Sequence, residues 1–262
     1  MKDFIPYKNG EYRSPAKGPS LLARISPSAA FYADLFRIVF RSGHRAKQSR
    51  YGDYDWAASS FEVLRAIERA GVRIEITGVD NFRNLDGPCV FISNHMSTFE
   101  TFVLPAIVEP VKDSTFVVKQ SLMTYPVFGP VMRSRKPVTV GRENPRDDLT
   151  AVMEGGTERL AAGRSIIIFP QTTRTNVFDP KLFNTIGVKL ARKASVPVIP
   201  VALKTDAWSN GRFLKEFGRI YPSRRAHFCF GEPLVIKSRG TEEHNVIIDF
   251  IRRKLEQWGA ED

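Results

Sequence analysis

Residues 88–100 read PCVFISNHMSTFE, and this stretch decides the fold. Its first six residues form an apolar run that predicts a β-strand. A polar turn follows, and a helix is predicted from Ser97. A continuous apolar strand that leads into a helix is typical of a parallel sheet buried on both faces.

The same alternation of strands and helices continues along the chain. Further strands are predicted over 72–77, 114–119, 138–140, 165–169, 196–203 and 226–230. Helices are predicted over 53–70, 145–162, 185–194 and 242–258. We therefore predict an α/β fold with a mainly parallel central sheet and helices on both faces.

The N-terminal part of the chain differs from the rest. Ser26 and Pro27 form a suitable N-cap and first turn for a helix, and Gly43 is its predicted stop. Residues 1–70 are thus predicted to form a helical extension, and residues 71–262 the α/β domain.

A composition of 42% hydrophobic and 26% charged residues excludes the disordered and collagen-like classes of protein.

The charge of the chain is concentrated near its N-terminus. The 262 residues include 39 Lys and Arg against 28 Asp and Glu, which gives a formal charge of +11. Residues 1–50 alone hold ten basic and three acidic groups. Such an arm typically meets nucleic acid, anionic lipid or an acidic partner protein, and the alternative is a charge excess that only keeps the protein in solution.

Aromatic residues on the first predicted helix help to choose among these partners. They are Phe31, Tyr32, Phe36 and Phe40. An aromatic helix with basic residues at its end suits a lipid interface, and docking on the protein's own core is the open alternative. The sequence has no recognisable DNA- or RNA-binding motif, so we expect an anionic membrane surface as partner and no nucleic acid.

Cysteine content and hydropathy give expectations about location. Cys89 and Cys229 are too few for a disulfide framework and match no metal-binding spacing, so a reducing, cytosol-facing location is expected. No apolar run approaches the ~20 residues that span a bilayer, and no signal-peptide core is recognisable. We expect a soluble or surface-bound protein without a metal or a cofactor.

His95 follows the decisive strand directly. Ligands of such sheets bind at the carboxyl ends of the strands, so this turn is a candidate site. On one regular helix, His95 and Glu100 would lie about 140° apart, so they can meet only if His95 precedes the helix. Glu100 could then orient the imidazole, as a carboxylate does in a catalytic triad. Alternatively, Ser97 and Glu100 form a capping box, which is a purely structural role.

A second candidate site follows the strand predicted over 165–169. Arg174 lies in the polar loop after this strand and could bind a phosphate with two parallel hydrogen bonds. Arg142 follows another short strand, so two arginines could converge on one anion. The alternative is that each arginine faces solvent or pairs with a neighbouring acid.

Five blocks in this order resemble the glycerolipid acyltransferases typified by lysophosphatidic acid acyltransferase. Residues 94–100 are similar to the family's Asn-His-x-Ser-x-x-Asp, and residues 119–129 fit Lys-x-x-Leu-x-x-x-Pro-x-x-Gly. Residues 138–142 are an apolar strand that ends in arginine. Residues 169–174 are similar to Phe-Pro-Glu-Gly-Thr-Arg, and residues 196–201 form an apolar strand around prolines.

The resemblance implies transfer of a fatty acyl group from acyl carrier protein or coenzyme A to a lysophospholipid hydroxyl. The expected acceptor is 1-acylglycerol-3-phosphate, at the cytoplasmic side of the cell membrane and with peripheral attachment. His95 would be the general base oriented by Glu100, and Arg142 and Arg174 would hold the phosphate. The resemblance places further substrate-binding residues at Asn94, Ser97, Lys119, Gln171, Thr172 and Thr173.

Three departures from the family pattern leave the acceptor open. Glu100 replaces the usual Asp, and Gln171 and Thr172 replace Glu-Gly. Thr172 would strain the loop if that position needs a positive φ. Residues 183–187 read FNTIG where the family has Phe-Lys-x-Gly. One alternative is that the acceptor is another hydroxylated or aminated lipid. The other is that the protein binds lipid without turnover. The acyl donor and the acyl chain length also stay open.

Overall fold

The centre of the molecule is an eight-stranded sheet covered by helices. The computed structural model describes residues 3–16, 18–171, 173–212 and 214–261. The strands are β1 (Tyr12–Arg13), β2 (Ile74–Thr77), β3 (Val90–Ser93), β4 (Ser114–Lys119), β5 (Val138–Val140), β6 (Ser165–Ile168), β7 (Val198–Lys204) and β8 (Ala226–Phe230). The helices are α1 (Leu21–Ile25), α2 (Pro27–Lys47), α3 (Asp53–Arg69), α4 (Asp80–Arg83), α5 (Phe99–Val108), α6 (Phe128–Ser134), α7 (Pro145–Ala161), α8 (Ile186–Ala194) and α9 (Thr241–Glu261).

The order of the strands brings several carboxyl ends together. The sheet runs β1-β2-β8-β7-β3-β6-β4-β5. Strands β7, β3, β6, β4 and β5 are mutually parallel, while β8 pairs antiparallel to β7 and β1 antiparallel to β2. The turn after β3 and the loop after β6 therefore leave neighbouring strands at the same edge of the sheet. The predicted, mainly parallel α/β fold is confirmed.

Both faces of the sheet are buried, as the apolar strands predict. Phe91 and Val201 belong to a core shared with α2, α3 and α5. Ile92 and Ile168 point to the opposite face and belong to a second core with α7, α8 and α9. Gly187 on α8 permits close contact there, because a Cβ at this position would lie 2.7 Å from Cδ1 of Ile92.

Two predicted boundaries are wrong for identifiable reasons. The first long helix runs to Lys47 and does not stop at Gly43. Gly43 serves packing instead: a Cβ there would lie 2.5 Å from the carbonyl oxygen of Val127, in the segment that leads into α6. The helix predicted from Ser97 begins at Phe99, because the Ser97 hydroxyl accepts a hydrogen bond from the Phe99 N–H while Ser97 stays in the turn.

The ends of four strands also differ from the prediction by one or two residues. β2 begins at Ile74, β3 at Val90 and β7 at Val198, each two residues later than predicted, and β6 ends at Ile168. Val72 and Cys89 lie just outside β2 and β3 but are buried, whereas Phe169 and Val196 at the other two ends are partly buried. Hydropathy along the sequence indicates which residues are buried, and it does not indicate where the hydrogen-bonded pairing of a strand ends.

Helix α2 has a buried face and an exposed one. Phe31, Leu35 and Ile38 lie in the same hydrophobic core as the sheet. Phe36 and Phe40 point outward and are 44% and 59% exposed. One face of the helix is therefore docked on the core of the protein, and contact of the exposed face with lipid stays a prediction. Within the described ranges, no helix combines the length and the apolar composition that crossing a bilayer requires.

Candidate active site

His95 lies in the turn that leaves the carboxyl end of β3. The Asn94 side chain donates to the carbonyl of Leu203 at 2.8 Å and accepts from the Leu203 N–H at 2.9 Å, which extends the β3–β7 pairing beyond the strand. The backbone N–H of His95 donates to Oε1 of Gln171 at 2.8 Å. The imidazole stacks on the ring of Phe169 with their centroids 4.3 Å apart. The histidine is thus positioned by β7 on one side and by the segment after β6 on the other.

Glu100 holds the other side of the imidazole. Its Oε1 lies 2.9 Å from Nδ1 of His95, and its side chain is fully buried. The carboxylate also accepts from the N–H groups of Met96 and Ser97 at 2.7 and 2.9 Å, and from the hydroxyls of Ser97 and Thr205 at 3.0 and 2.5 Å. Burial on its own would raise the pKa of Glu100, but the hydrogen bonds and charge of these partners, His95 first, lower that pKa below its ordinary value.

This geometry unites the two roles that the sequence left open for Glu100. The carboxylate accepts from Ser97 as a capping residue does and contacts the imidazole as an orienting residue does. The predicted placement of His95 ahead of the helix is confirmed, because α5 begins at Phe99. An ionised carboxylate at Nδ1 assigns the proton to that nitrogen, so the lone pair of a neutral imidazole resides on Nε2. Nε2 is therefore the atom that can take a proton from a reactant.

Arg174 reaches the same turn from the segment after β6. Its Nη1 donates to Oγ1 of Thr98, between His95 and α5, and its Nη2 donates to Oε1 of Glu216 at 2.7 Å. The neighbouring Thr173 hydroxyl accepts from Nζ of Lys215 at 2.8 Å. Gln171 is buried against His95 as described above. The predicted site residue Thr172 lies outside the described residues.

Arg142 and Lys119 lie further along the same edge. Lys119 is exposed at the carboxyl end of β4. Arg142 follows β5, and Asp148 accepts from its N–H at 3.1 Å and from the N–H of Gly141 at 2.9 Å. β5 is three strand positions from β3, about 14 Å at the usual strand spacing. Convergence of Arg142 and Arg174 on one anion stays a prediction.

Sequence reasoning missed several residues of the site. Thr205 directly follows β7, so the rule that polar residues after parallel strands line the site could have found it. Phe169 belongs to the third block, but nothing in the sequence marks its ring as a platform for the imidazole. Lys215 and Glu216 come from a distant loop between β7 and β8, and no local pattern singles them out.

Comparison with known proteins places the chain in a family. The family described as Acyltransferase matches residues 73–204, which include the histidine turn and the segment that carries Arg174. The chain belongs to the acyltransferase family. The resemblance seen in the sequence blocks is therefore confirmed.

Two relatives of this acyltransferase-family chain show the extent of the similarity. The 1-acyl-sn-glycerol-3-phosphate acyltransferase of Pseudomonas aeruginosa is 34% identical over 172 residues, which are 65% of this chain and 64% of that protein. The chain thus matches just under two thirds of that relative's length. The 1-acyl-sn-glycerol-3-phosphate acyltransferase of Borreliella burgdorferi is 27% identical over 213 residues, covering 75% of this chain and 79% of that protein.

A solved structure shares the fold. The crystal structure of the 1-acyl-sn-glycerophosphate acyltransferase PlsC from Thermotoga maritima superposes with a TM-score of 0.65. The superposition covers 89% of this acyltransferase-family chain and 95% of the other, at 19% sequence identity. Similarity at this level of identity shows a shared fold.

Proposed function

We propose that the protein transfers a fatty acyl group from a thioester to the hydroxyl of a lysophospholipid. The donor is acyl carrier protein or coenzyme A, the acceptor is 1-acylglycerol-3-phosphate, and the product is phosphatidic acid. The observation that carries this proposal is the contact of 2.9 Å between His95 Nδ1 and the buried Glu100 carboxylate. It leaves Nε2 as a general base at the edge of the sheet where ligands bind.

The reaction then proceeds by direct attack. Nε2 of His95 removes the proton of the acceptor hydroxyl while the oxygen attacks the thioester carbon. The resulting tetrahedral intermediate expels the thiolate, which takes the proton from His95 and leaves as a free thiol. Glu100 stabilises the imidazolium that exists between these two proton transfers. The sequence has no Gly-x-Ser-x-Gly nucleophile elbow, so no covalent acyl-enzyme is part of the proposal.

Arg174 supports a phosphate-bearing acceptor. Its guanidinium contacts Thr98, three residues from the proposed base, so an anion bound there would lie beside the reacting hydroxyl. A planar guanidinium fork suits a phosphate better than a lysine ammonium does. The second proposed phosphate ligand is Arg142, which follows β5 at the same edge of the sheet. Lys119, between them in strand order, adds positive charge to this edge.

The first test is an activity assay with purified protein. A thioester donor and detergent-dispersed lysophosphatidic acid should yield phosphatidic acid, and His95→Ala should lower the rate about 10²–10⁴-fold. His44→Ala is the matched control, because His44 is exposed on α2, and it should retain the wild-type rate. Full activity in His95→Ala would overturn the mechanism. Product from an aminated lipid alone would reassign the acceptor, and no product from any acceptor would favour a lipid-binding protein without turnover.

The exposed apolar residues of the N-terminal helices support binding to an anionic membrane surface. They are Leu21, Leu22 and Ile25 on α1 and Phe36 and Phe40 on α2. The basic excess of residues 1–50 adds attraction to anionic head groups. Together these features suit peripheral attachment at the cytoplasmic face of a membrane.

Vesicle co-sedimentation tests this attachment. Replacing both Phe36 and Phe40 by serine should weaken binding to phosphatidylglycerol vesicles about tenfold or more, because two large apolar side chains lose their burial in lipid. Val246→Ser is the matched control, since Val246 is an exposed apolar residue on α9, across the sheet. Equal binding of the double variant, or equal binding to neutral phosphatidylcholine vesicles, would contradict the proposal.

A further inference from the structure

The arginine proposed to bind the acceptor's phosphate already has an anionic partner. Nη2 of Arg174 donates to Oε1 of Glu216 at 2.7 Å, and the two side chains are 16% and 37% exposed. The other terminal nitrogen donates to Thr98. Both terminal nitrogens of the guanidinium therefore already donate a hydrogen bond, and a phosphate that takes the same N–H group of Nη2 replaces the Glu216 carboxylate.

The loop that carries Glu216 has a defined conformation. We call it the 209–219 loop; residues 209–212 and 214–219 of it are described. The N–H of Ser209 donates to the carbonyl of Arg219 at 3.0 Å, which closes the loop at its base. Gly218 permits this closure, because a Cβ there would lie 1.6 Å from the carbonyl oxygen of Ser209. Glu216 is thus presented to Arg174 by a folded loop.

The same loop is anchored to the candidate site at two further points. The Asn210 amide donates to the carbonyl of Met96, in the turn that carries His95, at 2.8 Å. Nζ of Lys215 donates to the hydroxyl of Thr173 at 2.8 Å. The loop therefore places a carboxylate and an ammonium side by side at the carboxyl end of β6. Arg174 and Lys215 are therefore two cations in the same part of the site.

Glu216 is an anion at neutral pH. Partial burial by itself would raise the pKa of this carboxyl, but the hydrogen bond and charge of Arg174 lower the pKa below its ordinary value. Its carboxylate and a phosphate oxygen are chemically equivalent acceptors for the guanidinium, since both are charged oxygens that receive N–H donors. A phosphate oxygen that accepts from Nη2 of Arg174 would therefore compete with the Glu216 carboxylate.

We propose that Glu216 is a displaceable partner of Arg174 that sets the acceptor affinity of the site. This inference rests on the proposed function. In the free protein the Glu216 carboxylate occupies the phosphate position, and the phosphate monoester of the acceptor exchanges with it, while Lys215 stays as a second cation. Each binding event therefore includes the cost of breaking the ion pair, so the intact loop keeps the acceptor affinity below what Arg174 could provide.

Calorimetric binding of glycerol 3-phosphate tests this exchange without turnover. Glu216→Gln should bind the probe about two- to fivefold more tightly than the wild type, the range expected for loss of a partly exposed ion pair. Glu216→Asp keeps the charge but is shorter by one methylene, so it should also bind more tightly. Glu158→Gln is the matched control, because Glu158 pairs with Arg159 at 2.6 Å on α7, and it should leave the affinity unchanged.

The outcomes separate this inference from the function on which it rests. Unchanged or weaker binding by Glu216→Gln would overturn it, as would no binding by any variant. Wild-type affinity in Glu216→Asp would overturn it as well, because net charge alone would then explain the effect. In the acyl-transfer assay, Glu216→Gln should lower KM for lysophosphatidic acid and leave kcat unchanged. If the wild type turns over no acceptor, the proposed function fails, and the calorimetry still decides the role of Glu216.

Discussion

Replacing Thr205 by valine should weaken the site and the fold together. The Thr205 hydroxyl donates to the buried Glu100 carboxylate at 2.5 Å, and valine has the same shape without the donor. A hydrogen bond to a charged group contributes about 1.5–3 kcal/mol, and we expect the free energy of unfolding at pH 7 to fall by that amount. Activity should fall too, because Glu100 would hold the His95 imidazole less firmly. Urea unfolding and initial acyl-transfer rates measure the two effects.

The loss of stability caused by Thr205→Val should depend on pH. The folded-state pKa of Glu100 lies below its ordinary value, so the stabilisation is present above the ordinary pKa and is lost as pH falls through the folded-state pKa. The Thr205→Val deficit should therefore be largest at neutral pH and shrink towards acid pH. Thr101→Val is the control, since that hydroxyl donates to the carbonyl of Thr98 at 2.7 Å and touches no charge. A deficit no larger than that of Thr101→Val, or one that does not change with pH, would refute the reasoning.

Two further predictions concern packing and charge away from the site. Burial raises the pKa of Glu109 from 4.5 to about 7, so ionisation of this carboxyl destabilises the fold as pH rises through that range. Between pH 5 and pH 8, urea unfolding should therefore show the stability difference between Glu109→Gln and the wild type shifting by about 2.5 kcal/mol in favour of glutamine; a constant difference would contradict this. Gly43→Ala should cost about 1–3 kcal/mol in thermal unfolding, because its Cβ would lie 2.5 Å from the carbonyl oxygen of Val127. Gly259→Ala, on α9 with open space around it, should cost nothing, and equal effects of the two alanines would reject the packing argument.

The fold was predictable because its strongest signal is hydropathy. Continuous apolar runs such as 88–93 specify strands buried on both faces, and the helices between them require parallel pairing. Boundaries were less predictable, as Gly43 shows. A glycine that ends a helix and a glycine that permits close approach look alike in sequence, and only the position of Val127 separates them.

The candidate site was predictable in part. The rule that ligands bind where parallel strands end found His95 and Arg174, and both lie beside the same turn. The two roles of Glu100 could not be resolved from spacing, because they depend on where the helix begins relative to the turn. Thr205 contacts Glu100 across 105 residues of the chain, and Glu216 contacts Arg174 across 42 residues. Contacts of that kind are fixed by tertiary packing, which local patterns do not record.

The stacking of His95 on Phe169 has a kinetic consequence. One face of the imidazole lies on that ring and Nδ1 is held by Glu100, so both contacts favour a single orientation of the imidazole. A single nitrogen then both removes the proton from the hydroxyl and returns it to the departing sulfur. Because the proposed reaction has no covalent acyl-enzyme, thioester and alcohol have to be present together at this nitrogen, and the reaction should follow a sequential rate law through a ternary complex. Parallel lines in a double-reciprocal plot, the pattern of a ping-pong mechanism, would contradict the proposed direct attack.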